Sequence, residues 1–346
     1  MWQVIGQKRA VSLLQNGIDT GRLAHAYLLV GPAHVGKMTL AVNLAQALNC
    51  ESGDRPCLEC SACRKIASGT HADVQVIGLA SNGDGAGTKL IGIDRIKQLQ
   101  HTANLPPFEG KRKVFIIDGA ELLSIEAANC LLKTLEEPMD DVTFILLTTN
   151  DRLLPETVVS RCQHLELRPL AAAEIETALV EKHNIEVERA RLLAGISRGC
   201  PGWALAAAED GSLLQQHEEM INQLVKILGA DYEERFAFVV QTTALFAQNR
   251  ATVYDMLDLW SNFWRDLMLV KMSCASLITN IDKKDEIVKI AERYRLSEVN
   301  TVIRSIQAAS EQLKQNANIR LALEVLMLDI PGKERGGGKQ AAPINR

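Results

Sequence analysis

Aromatic side chains make up only 4% of the 346 residues, too few for a ring-filled β-sandwich interior. Positive charge is not in excess. Lys and Arg number 38 against 42 Asp and Glu, for a net charge of -4. A protein that grips DNA alone normally carries a basic surface, because neutralising phosphates supplies most non-specific affinity. Any contact with DNA is therefore expected to be local or made inside a larger assembly. No uninterrupted apolar run is long enough to span a bilayer. The N-terminus, Met1-Trp2-Gln3-Val4-Ile5-Gly6-Gln7-Lys8, lacks a basic segment followed by an apolar one, so no signal peptide is read and a cytoplasmic location is expected. Internal repeats are absent as well.

What is present is a chain long enough for two or three domains, with 47% hydrophobic residues to fill their cores. Up to about residue 168, short apolar runs alternate with helical patterns. The runs are Ala26–Val30, Val74–Ile77, Val114–Ile117 and Thr143–Leu147, and Ser124–Glu137 is one of the helical stretches. That alternation predicts a parallel sheet covered by helices. Ser81–Gly87 is too rich in glycine for regular structure and reads as a surface loop. After Pro169 strand signals fade, and helices are expected over Glu174–His183 and Pro201–Glu209, then almost throughout Ser212–Leu328. Tyr254, Leu257, Trp260, Phe263, Trp264 and Leu267 recur at helical spacing and read as core packing. The glycine-rich tail from Pro331 to Arg346 has few apolar residues and is expected to be disordered.

Gly31-Pro32-Ala33-His34-Val35-Gly36-Lys37 follows the first apolar run and opens a helical pattern, the setting a phosphate-binding loop needs. Backbone N–H groups can wrap a phosphate there, and Lys37 can reach the outer phosphates. The next position normally supplies a Ser or Thr hydroxyl to Mg²⁺, but here it is Met38. Thr39 lies one residue on, turned by about 100° around the helix. ATP or ADP binding can survive this change, whereas magnesium coordination is compromised. Val114–Asp118 has the form of a Walker B strand, with Asp118 placed to assist a metal ion. The water-positioning Glu of active ATPases is replaced by Gly119, and Glu121 is expected to point in a different direction.

Four of the eight cysteines, Cys50, Cys57, Cys60 and Cys63, fall within fourteen positions. In a reducing compartment this clustering argues for metal rather than disulfides. Four thiolates satisfy tetrahedral Zn²⁺ in a closed structural site, with no position open for catalysis. An iron–sulfur centre of ferredoxin spacing would need a cysteine at Ala67. Thiols without metal are the remaining alternative. His71, beside Asp73, could replace Cys50 but reads better as a strand-entry residue. Cys130, Cys162, Cys200 and Cys274 are dispersed and expected to be buried filler.

Together with His25-Ala26-Tyr27, three further stretches carry a family resemblance. They are Gly110–Asp118, the block Leu131-Leu132-Lys133-Thr134-Leu135-Glu136-Glu137-Pro138 preceded by Asn129-Cys130, and Leu154–Cys162 ending in Ser160-Arg161-Cys162. In this combination the chain resembles the bacterial DNA polymerase III clamp-loader family of AAA+ proteins, most closely its delta-prime type of subunit. The resemblance is strong over the first 170 residues or so and holds only in outline beyond them.

It implies an α/β AAA+ (P-loop) parallel-sheet domain over 1–168 with a zinc-binding insertion at about 50–70. An all-α lid over 169–210 and an all-α collar over 211–330 would follow. It implies that Arg161, otherwise an ordinary surface arginine, reaches in trans into a neighbour's ATP site. It implies that Asn150, in the strand-end segment Thr148-Thr149-Asn150, senses the terminal phosphate; without the family this segment reads as a turn. The lid's arginine position falls on Gly202 within Gly199–Leu205, so a third nucleotide-sensing group is missing. The partners implied are delta and gamma/tau subunits in a hetero-pentamer, with the sliding clamp and primed DNA met through that complex. A largely non-hydrolysing role is expected. The alternatives are an ATP-hydrolysing gamma/tau-like motor of the same assembly and, in another class, a zinc-dependent DNA-binding module.

Overall fold

The structure is a computed structural model and describes residues 2–79, 90–315 and 317–332. The expected loop at 81–87 and all but the first two residues of the expected tail lie outside the described residues. The chain divides into two compact units, Met1–Leu205 and Ala206–Arg346.

The first unit runs α1 (Lys8–Thr20), β1 (Ala26–Val30), α2 (Lys37–Asn49), α3 (Ser61–Ala67), β2 (Val74–Ile77), α4 (Ile93–Ala103) and β3 (Lys113–Asp118). It continues through α5 (Ile125–Glu136), β4 (Val142–Thr148), α6 (Glu156–Val159), β5 (Gln163–Glu166), α7 (Ala172–His183) and α8 (Val187–Ile196), then enters α9 (Pro201–Glu209). The five strands are all parallel in the order β2-β3-β4-β1-β5.

Strand residues alternate between two apolar cores, as a period of two requires. Tyr27, Leu29, Val114, Ile116, Ile145 and Leu147 join one core with α1 and α2. Ala26, Leu28, Phe115, Ile117, Phe144 and Leu146 join the other with α4 and α5. Burial on both faces explains why the central strands read as continuous apolar runs. Strand β5 shows no such run because it is an edge strand with only Leu165 buried.

The second unit contains α10 (Gly211–Gly229), α11 (Tyr232–Gln248), α12 (Arg250–Lys271), α13 (Lys284–Ala291), α14 (Leu296–Lys314) and α15 (Ile319–Asp329). Asp210, Asp231, Asn249 and Asn318 cap four of these helices through side-chain acceptors. The stripe on α12 is core: Leu257, Trp260, Phe263, Trp264 and Leu267 are buried, and Tyr254 packs against them.

Two buried charges organise this core. The Arg235 guanidinium donates to the carbonyls of Ile227, Met327 and Ile330 at 3.2, 3.1 and 2.6 Å, tying α11 to the ends of α10 and α15. The fully buried Asp266 accepts from Thr279 N, Asn280 N and Asn280 Nδ2 at 2.8–3.1 Å, and Asn280 Oδ1 meets His217 Nε2 at 3.1 Å. Asp266→Ala would leave several buried donors without an acceptor. It should cost about 3 kcal/mol, read as an earlier urea midpoint by tryptophan fluorescence, and Asp266→Asn should cost less.

Candidate functional site

Strand β1 delivers Gly31 to the crest of the sheet, where Gly31 N–H donates to the Thr148 carbonyl at 3.2 Å. A Cβ on Gly31 would stand 2.5 Å from the Leu167 carbonyl oxygen, so no larger residue fits. Gly36 takes φ +106°, a left-handed backbone that glycine adopts at little cost. Helix α2 then begins at Lys37 without a side-chain cap. The first-turn N–H groups of a helix have no intrahelical partners, which is what an anionic phosphate recognises.

The Lys37 ammonium lies across the loop, donating to the carbonyls of Gly31 and Pro32 at 2.6 and 2.7 Å. Burial pulls Lys37 below the ordinary lysine value, against the opposing pull of Glu121 and then Asp118.

Met38 is partly buried, packs against the apolar core that holds Leu40 and Leu44, and offers the loop no hydroxyl. Thr39 is exposed on the next face of α2. Asp118 ends β3 with its side chain exposed. Gly119 follows at φ +75°, and a Cβ there would meet Leu122 Cδ1 at 2.9 Å. A glutamate at 119 would be strained by that left-handed backbone and would push the flexible end of Leu122 aside. The Asn150 carboxamide oxygen accepts from Arg152 N at 3.1 Å, capping the short turn Asp151–Leu153.

The first turn of α9 sits on the loop tip. Gly202 N–H donates to the His34 carbonyl at 2.9 Å, and a Cβ at 202 would lie 2.8 Å from that oxygen. His34 itself holds φ +61°. The position matched to the lid arginine is thus occupied by a backbone contact that an arginine's Cβ would crowd.

Arg161 follows α6, half-exposed. Its Nη2 pairs with Glu136 Oε1 at 2.6 Å, and its Nη1 donates to the Thr157 carbonyl at 2.8 Å. An exposed pair of this kind contributes at most about 1 kcal/mol.

The four clustered cysteines converge. Cys50 caps the end of α2, Cys60 caps the start of α3, and Cys63 lies in its first turn. All four Sγ atoms lie within 4.8 Å of one another, and Cys57 and Cys63 Sγ are 4.0 Å apart. A tetrahedral Zn²⁺ with ligands at about 2.3 Å places sulfurs about 3.8 Å apart, so the donor set fits such an ion. The N–H groups of Cys60 and Cys63 point at the sulfurs of Cys57 and Cys60, at 3.3 and 3.5 Å. The Cys60 and Glu59 N–H groups pull the Cys57 thiol down, whereas burial pushes the Cys63 thiol up.

Asn49 Oδ1 accepts from Lys111 N and Arg112 N at 2.8 and 2.9 Å, and Lys111 Nζ donates to the Cys50 carbonyl, which anchors the cluster to the sheet. His71 stands apart, its Nδ1 accepting from Asp73 N at 3.2 Å. Cys130, Cys162, Cys200 and Cys274 are half-buried rather than buried, a correction to the filler reading. Burial pushes the Cys200 thiol up, against the weaker opposing pulls of Arg198 and then Lys37.

Two family models cover most of the chain: "DNA polymerase III, delta subunit" over residues 6–171 and "DNA polymerase III, delta subunit, C terminal" over 212–331. The chain belongs to the bacterial DNA polymerase III clamp-loader family of AAA+ subunits. It is 29% identical to the DNA polymerase III subunit delta' of Bacillus subtilis, over 93% of this chain and 95% of that one. It is 28% identical to the subunit gamma of Buchnera aphidicola subsp. Schizaphis graminum, over 94% of this chain and 93% of that one. To the subunit tau of Escherichia coli it is 33% identical, over 79% of this chain but only 44% of the relative.

Within this clamp-loader subunit two residues escape sequence reasoning. For Glu121 the sequence predicts only a direction different from that of the usual carboxylate; its partner is Thr149, with Oε1 accepting from Thr149 N and Thr149 Oγ1 at 3.1 and 2.7 Å. The helical spacing of Glu136 on α5 gives no hint that it meets Arg161, 25 positions later. Among the described residues, no helix is long and apolar enough to cross a membrane.

Proposed function

We propose that this chain is the delta-prime-type subunit of its clamp loader: it binds nucleotide without useful turnover and lends Arg161 to the ATP site of an adjacent subunit. The observation that carries the reading is the phosphate loop itself. Lys37 and the α2 N-terminus are in place, while Met38 packs, half-buried, against the core and Gly119 holds a left-handed backbone. A Mg²⁺ ion bound with nucleotide would lack its usual hydroxyl ligand at Met38, and an attacking water would lack its usual carboxylate at Gly119. The helical unit would join delta and gamma/tau subunits in a hetero-pentamer that opens the sliding clamp and places it on primed DNA. The four cysteines would hold one structural Zn²⁺, which adds a local fold constraint and no chemistry.

A second reading is an ATP-hydrolysing gamma/tau-like motor of the same assembly. The comparisons weigh toward it, since the tau relative matches at 33% identity against 29% for the delta' relative. The residues at the phosphate site weigh the other way. Turnover by the isolated full-length chain separates the two. The first reading expects nucleotide binding that Lys37→Ala abolishes, with no release of phosphate above background. Turnover at the level of active clamp-loader ATPases, lost in Lys37→Ala, would establish the motor.

A further inference from the structure

No motif assigns a role to Glu121, yet it stands at the mouth of the phosphate loop. Gly119 reverses the chain after β3, and the short turn Ala120–Leu122 brings Glu121 over the crest of the sheet. Both polar donors of Thr149, its N–H and its hydroxyl, end on Glu121 Oε1. Thr149 directly follows Thr148, which pairs with Val30 at the end of β1 and accepts the Gly31 N–H. The second carboxylate oxygen, Oε2, is buried with no hydrogen-bond partner among the described residues. Glu121 is also the carboxylate that acts most strongly on Lys37, ahead of Asp118.

We propose that Glu121 makes this site select a nucleoside diphosphate over a triphosphate, by occupying both donors of Thr149 and fixing a negative charge beside the terminal-phosphate position. The inference deepens the nucleotide-binding reading above and rests on it. A third phosphate adds about one negative charge. To be accepted it needs donors or a cation, and beyond Lys37 and the Asn150 amide nitrogen the sources at this site are closed. The Thr149 donors are taken, and Met38 cannot help hold a magnesium ion between phosphate and carboxylate. Gly202 brings a backbone N–H already committed to His34. Lys37 alone faces two carboxylates, Glu121 and Asp118. Two unit charges about 6 Å apart near a protein surface repel enough to shift an equilibrium tenfold or more. The inner phosphates, cradled by the loop and the α2 N-terminus, do not meet this repulsion.

The test is calorimetric titration of the full-length chain with ADP and with ATP, each in excess EDTA and in millimolar Mg²⁺. In EDTA the wild type should bind ADP at least tenfold more tightly than ATP. Glu121→Gln keeps an acceptor for Thr149 and removes the charge. It should bring the two affinities within about twofold by strengthening ATP, with ADP unchanged. Should that variant fail to fold, raised ionic strength should narrow the wild-type ratio in the same direction. Equal affinities in the wild type, or an unchanged ratio in a folded Glu121→Gln, would overturn the inference while leaving nucleotide binding intact. Loss of magnesium-dependent ATP binding in Glu121→Gln would also overturn it, because the carboxylate would then act through a cation. Binding of neither nucleotide would remove the underlying reading and this inference together.

Discussion

Arg161→Ala should lower ATP turnover at the neighbouring subunit's site by about 10³-fold, the usual effect of withdrawing a guanidinium from a transferring phosphate. The assay is clamp-stimulated ATPase of a reconstituted loader in which only this chain is altered. Folding should be untouched, because the side chain is half-exposed and its bonds to Glu136 and Thr157 are surface contacts. Arg161→Lys should fail nearly as badly, since an ammonium lacks the planar fork that grips phosphate oxygens. The isolated chain should show no change in nucleotide binding. Wild-type ATPase in the complex, with the mutant chain confirmed in it, would reduce Arg161 to a surface residue paired with Glu136.

Metal removal should have the second large effect, and a local one. Elemental analysis of metal-replete protein should give one zinc per chain. Structural zinc sites of this type contribute on the order of 10 kcal/mol to the order of their segment. Chelation, or Cys60→Ser, should therefore loosen the segment between α2 and α3 and fray α3, so that trypsin cuts after Arg64 and Lys65. The helical unit should unfold at its usual denaturant concentration, because no cysteine of the cluster belongs to it. Substoichiometric zinc, or equal protease resistance with and without metal, would count against a structural metal.

Much of this architecture was legible from residue order. Central strands buried on both faces leave unbroken apolar runs, so β1, β3 and β4 stand out, and Ser124 announces α5 by capping it. The phosphate loop is legible for a related reason, since Gly31 and Gly36 are demanded by backbone geometry within a few residues.

What escaped the sequence depends on through-space partners. Strand β5 pairs with β1 along one edge, so Gln163, His164 and Glu166 carry no apolar signal. Helix α8 has a weak apolar face, built from Ala190, Leu193, Ala194 and Ile196, which packs on α7. The direction of Glu121 follows from the left-handed turn at Gly119, which sequence spacing alone does not reveal. The same holds for Gly202, whose place on the His34 carbonyl explains why no arginine stands there.

In the proposed function this subunit contributes to hydrolysis from its edge and not from its own phosphate loop. The most direct measurement is steady-state ATPase of the reconstituted loader carrying Lys37→Ala in this chain alone, with clamp and primed DNA present. The expected result is the wild-type rate, beside a collapsed rate at the neighbouring site in the matching Arg161→Ala complex. A fall with Lys37→Ala equal to the loss of one working site, from a complex of unchanged composition, would contradict it and make this chain a motor.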